Sequence, residues 1–150
     1  MATNFAPSRS EDRSIPTVSF ALAAEYRRAH EELTAALLVM DEMALEPPAS
    51  LLKLSHTRLR ITRAASDCRV LLQKVLSVLS KGPSPTIAHK VEVLEQLHSE
   101  LREATRRHME TWPHAAAQAD WRAYYQSHSE VAQRWRDAME RERQFLYPML

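Results

Sequence analysis

The run Asp120-Trp-Arg-Ala-Tyr-Tyr-Gln-Ser-His-Ser-Glu-Val-Ala-Gln-Arg-Trp-Arg-Asp-Ala-Met-Glu-Arg-Glu-Arg-Gln-Phe-Leu-Tyr-Pro148 spaces Trp121, Tyr125, His128, Val131, Trp135, Met139, Glu142 and Phe145 three or four residues apart. That period draws one stripe along an α-helix. Asp120 suits the N-cap, where a short carboxylate accepts from the orphan N–H groups of the first turn. Pro148 cannot continue the helix. A helix striped in this way must bury its stripe against companions, and the rest of the chain supplies them.

Pro16-Thr17 opens a first helix to about Leu45, with Phe20, Ala23, Tyr26, Leu33, Leu37 and Met40 on one face, and Glu46-Pro47-Pro48 ends it. A second runs from about Ala49 to Ser80 and stops at Lys81-Gly82-Pro83, a glycine followed by a proline. Ser84-Pro85-Thr86 begins a third, carrying Ile87, Val91, Leu94, Leu97, Leu101 and Trp112 and stopping before Pro113. His114–Ala119 reads as a short connection. Residues 1–15 are polar and without a period, which suits a mobile tail.

The bulk composition agrees. The chain has 150 residues, a single glycine and eight prolines, and helix formers dominate between them. The expected class is all-α, an up-down-up-down antiparallel four-helix bundle over residues 16–150, because short connections favour antiparallel neighbours. A formal charge of +1 with acids and bases interleaved gives no field that selects nucleic acid or an anionic membrane. Lone Cys68 excludes an internal disulfide, and no leader-like or membrane-spanning run is seen, so a cytoplasmic location is expected.

A bundle core accepts polar residues only when they pair or bind metal. His30 interrupts the apolar face of the first helix between Tyr26 and Leu33, and His98 interrupts the third between Leu94 and Leu101. Each is followed by acid and then Leu. Asp67 in the second helix and Glu142 in the fourth both precede apolar residues, so the two halves echo each other.

This pattern resembles the hemerythrin-like, His-His-Glu cation-binding family. The resemblance spans about residues 20–150 and implies a bundle holding two irons between histidines of the first and third helices and His-x-x-x-Glu runs of the second and fourth. It implies that His30 and His98 are metal-binding histidines and that Asp67 and Glu142 are the carboxylates. Arg63 and Ala138 stand where the paired histidines belong. An arginine does not deprotonate to become a ligand, and its cation repels a metal. The expectation is therefore a reduced or lost di-iron site, with iron absent or weakly held and Arg63 neutralising Asp67.

The functional reading is a non-enzymatic binding or sensing protein with a protein partner or small ligand and scope for homodimerisation. A metal-free helical scaffold or interaction module is the alternative. A further one takes His56 as the phospho-acceptor of a histidine phosphotransfer-type bundle, although Leu59 and Arg60 follow where Lys and Gly are usual. His56 and Arg63, seven residues apart, share a helix face, and His56 and His128 would extend the polar interior or lie partly exposed. The tryptophans with Tyr124 and Tyr125 read as packing. No Gly-rich phosphate loop or activated Ser or Cys appears, and Cys68 among Val70, Leu71 and Leu72 reads as an inert packing residue.

Overall fold

Ser19, at the start of the first helix, accepts a hydrogen bond from the Leu22 N–H at 3.2 Å and so sets where that helix begins. In this computed structural model, which describes residues 15–43 and 51–150, α1 spans Phe20–Glu42, three residues later than Pro16-Thr17 suggests. The shift changes which residue is buried. Val18, before the cap, packs in the same apolar cluster as Ala23, a hydrophobic staple, while Phe20 is 89 % exposed rather than part of the buried face.

α2 spans Leu51–Leu79, α3 Pro85–Thr111, α4 His114–Ala119 and α5 Trp121–Leu146, followed by a 3-10 turn, Tyr147–Met149. No strand occurs among the described residues, and the chain is all-α. Ser84 caps α3 with Pro85 in its first turn, and Asp120 caps α5 by accepting from the Ala123 N–H. The segment 114–119, expected as a connection, is a short helix after Pro113, in keeping with the high helix propensity of its four alanines. Glu46-Pro47-Pro48, Ala49 and the tail up to residue 14 lie outside the described residues. No helix among those described is long and apolar enough to cross a membrane.

α1 packs on α2 and α3 on α5, with α2 also meeting α3 and α1 meeting α5, while the short α4 contacts α2 and α5. The interior divides into three apolar clusters. One gathers Tyr26, Leu72, Leu76, Leu94 and Leu146; a central one holds Leu33, Ala65, Leu101, Trp135 and Met139; the third is built on Met40, Leu54, Ala117 and Tyr124. Following α1 from Tyr26 to Met40 crosses all three in turn. Buried polar side chains are placed at the two junctions, and these junctions are the sites of interest.

Candidate functional site

At the first junction His30 of α1, His98 of α3 and Glu142 of α5 come together, 1 %, 7 % and 1 % exposed. His30 Nε2 lies 3.6 Å from Glu142 Oε1, and His98 Nε2 lies 3.4 Å from Oε2. Tyr26 donates its hydroxyl to Oε1 at 2.6 Å. Tyr147, in the closing 3-10 turn, contacts His30 Nδ1 at 2.8 Å and stacks on its ring. Helical spacing creates this arrangement. Tyr26 and His30 are one turn apart and touch ring to ring, and the turn that follows α5 returns Tyr147 to the same place.

Burial alone would raise the Glu142 carboxyl, but the imidazole edges of His30 and His98 favour the carboxylate and outweigh it, bringing the group down to about 2. The reverse holds for Tyr26: burial, then the Glu142 charge, push its phenol far above the usual range, so it remains a donor. Both imidazole Nε2 atoms lack a hydrogen bond of normal geometry. With Tyr147 donating to His30 Nδ1, the Nε2 edges of both His30 and His98 face Glu142, which accepts from Tyr26.

The expected second-helix contribution is corrected. Asp67 and Arg63 are exposed on the outer side of α2, and Cys68, 1 % exposed, takes the inward place. Each residue turns a helix by about 100°, so the inward stripe of α2 runs through Ala64, Ala65, Cys68 and Leu72 and leaves Arg63 and Asp67 outside. Arg63 therefore neutralises no buried carboxylate. Ala138 is fully buried, one turn before Glu142, and brings no donor. Among the described residues no group of three or more His, Cys, Asp or Glu is arranged to hold a metal ion. Two irons do not suit this centre: the inward N and O donors are His30, His98, Glu142 and the Tyr26 hydroxyl already given to Glu142.

Of the second junction the sequence points only to His128, as an extension of the polar interior or a partly exposed residue, and it is buried. Arg58 of α2, His108 of α3 and His128 of α5 are 5 %, 7 % and 5 % exposed and lie together beneath Tyr124. His108 Nδ1 meets Ser127 Oγ at 2.8 Å. Burial, then the Arg58 charge, lowers His108 to about 4; burial, then His108, lowers His128 to about 4. A signal for this layer existed: His108 continues the Leu94–Leu101 stripe by another seven residues, and Arg58 lies four after buried Leu54. His56, by contrast, is exposed and shares the outer face with Arg63.

Arg106 and Arg107 lie on the solvated surface of α3, Arg106 paired to Glu103 and Glu110 one turn away on either side and Arg107 to Glu103. Comparison with protein-family models, with curated proteins and with solved structures finds no match.

Proposed function

We propose that the chain is a non-enzymatic binding or sensing bundle of hemerythrin-like type, whose di-iron centre is reduced to a His30–Glu142–His98 core in which two imidazoles face one carboxylate. The observation that carries this reading is the convergence of two imidazoles, one from α1 and one from α3, on one buried carboxylate of α5. The order of contacts supports an antiparallel up-down-up-down arrangement. Partners of α1 on α5 recede as α1 advances, from Tyr26–Glu142 to Asp41–Arg136, and those of α3 do likewise, from Lys90–Phe145 to His108–Ser127. In the reading the centre keeps one half of the family's ligand set, and Ala138 and the outward Arg63 mark the lost half. Iron is absent or weakly held, because Tyr26 and the two imidazoles answer Glu142 without it, and Tyr147 occupies the other nitrogen of His30.

Elemental analysis tests the reading on protein purified without chelator, before and after reconstitution with ferrous iron. The parent is expected to retain well under one metal per chain. Ala138→His, which returns a donor one turn before Glu142, is expected to raise uptake. Stoichiometric metal in the parent, lost in both His30→Ala and Glu142→Ala, would replace the hydrogen-bonded core by a working metal site. No gain in Ala138→His would count against hemerythrin-like ancestry.

A metal-free interaction module is the second reading, favoured by apolar side chains left outside: Phe20 at 89 %, Leu52 at 64 % and Leu38 at 56 % exposure. Concentration-dependent sedimentation, with Phe20→Ser and Leu52→Ser as controls, checks for self-association through them.

A further inference from the structure

Among the described residues no carboxylate pairs with the buried guanidinium of Arg58. Its Nη2 reaches the Met109 sulfur at 3.3 Å, its charge lies 5.5 Å over the Tyr124 ring, and its Nε and Nη1 have no partner. A thioether is a weak acceptor and a ring face a diffuse one. Among the described residues the other buried charges are answered: Glu142 has Tyr26 and two imidazoles, and the half-buried Arg136 has Asp41. An arginine stays charged at every working pH, so this cation, 5 % exposed, stands in the core uncompensated.

A cavity of about 40 Å³ adjoins it, walled by Leu37, Met40, Arg58, His128 and Trp135. Roughly 10–15 Å³ suffices for one water, so the space admits a pair of waters or one small ion. His128 Nε2, also buried and without a partner, lines the same space. Thus the cavity is lined by the side chain of Arg58, a fixed positive charge with unused N–H groups, and by the ring of His128, whose Nε2 donates in one tautomer. Its wall also includes Thr62 and Met109, which are exposed, so the cavity lies toward the rim of the core.

We infer that this cavity binds one small monovalent inorganic anion, of halide or nitrite size, which Arg58 neutralises and His128 helps to orient. The walls fix the class. Leu37, Met40, Ile61 and Val131 offer no donors, and those of Thr62, Thr105 and Trp135 are already given to Arg58 O, Leu101 O and Thr105 Oγ1, so few remain for a larger oxyanion's other oxygens; a single guanidinium answers one negative charge, not two. The site is separate from the His30–Glu142–His98 core, with the central apolar cluster between them, so it stands whether or not that core binds metal.

The test is thermal unfolding in sodium bromide or sodium nitrite against sodium gluconate of equal ionic strength, with parent protein and Arg58→Met. Bromide is expected to raise the parent Tm saturably, by roughly 5 °C at a hundredfold excess over Kd, and to leave Arg58→Met unmoved. Crystals grown in bromide are expected to show one anomalous peak between Arg58 and His128. Equal salt responses in the two proteins, with no peak in the cavity, would overturn the inference and leave the space to water. If Arg58→Met does not fold, the parent decides alone: a bromide peak and saturable shift support the site, and their joint absence rejects it.

Discussion

Tyr26 and Glu142 are joined by a 2.6 Å hydrogen bond in which both partners are fully buried. A buried carboxylate that loses a donor keeps its desolvation cost without the compensating bond. Tyr26→Phe is therefore expected to destabilise the fold by about 1.5–3 kcal/mol, with Tm falling by roughly 3–10 °C. Tyr147→Phe, which removes a partly exposed hydroxyl from His30, is expected to cost about 1 kcal/mol. Urea titrations of both variants check the ranking; a Tyr26→Phe protein as stable as the parent would show that Glu142 does not depend on that donor.

Acid is expected to unfold the protein in two stages. His108 and His128 have folded values near 4 against an ordinary 6.5, so the stability they contribute as neutral groups is complete above about 6.5 and is lost as pH falls toward 4. Glu142 is depressed from 4.5 to about 2, so its contribution is present above 4.5 and is lost as pH falls to 2. For the histidine pair the total is on the order of a few kcal/mol. Stability measured from pH 7 to pH 2 in gluconate buffers should show both slopes, with His128→Phe flattening the upper one and Glu142→Gln the lower. A single loss confined below pH 4 would contradict the burial of the histidines.

Cys68 is 1 % exposed, and burial, followed by the nearby charges of Glu142 and Asp67, pushes its thiol up to about 12. Native protein is expected to resist Ellman's reagent at pH 8, reacting only as fast as it opens. Immediate stoichiometric labelling without denaturant would place Cys68 at the surface.

A methyl group at Gly82 would lie 2.6 Å from Pro16 Cδ, inside van der Waals contact and against a rigid ring. Gly82 has no positive φ, so the requirement for glycine comes from this close approach and not from the backbone conformation. Gly82→Ala is expected to displace the segment before α1 and to cost roughly 1–3 kcal/mol. Increased hydrogen exchange at Val18 and Ser19 would report that displacement; unchanged exchange and stability would mean that Pro16 yields freely.

Exchanging the outward pair, Arg63→Ala and Asp67→Asn, is expected to alter stability by no more than about 0.5 kcal/mol. Metal uptake should not change either. A loss above 2 kcal/mol would return Asp67 to the interior.

Helices announce themselves in this chain because a 3.6-residue period with Ser84, Asp120 and the prolines as punctuation is a local property. The inward places of His30, His98 and Glu142 were legible for the same reason, each interrupting an apolar stripe. Asp67 was not, because its position was inferred from correspondence with Glu142, and an error of one residue in helical register swings a side chain by about 100°. Cys68 lies one step away and faces in. Arg58 was harder still: a charge beside a stripe normally snorkels to water, and only the packing of Tyr124, Met109 and His108 around it shows that it does not.

Glu142 is 116 residues from Tyr26, and Tyr147 is 117 from His30. Closing so long a loop takes entropy that nearest-neighbour helix pairs such as α1 with α2 do not need to spend before they meet. The polar centre therefore belongs to the final stage of folding, after the local pairs have docked. Substitutions there are expected to leave the refolding rate nearly unchanged and to accelerate unfolding instead, so this junction is a latch on the lifetime of the native state.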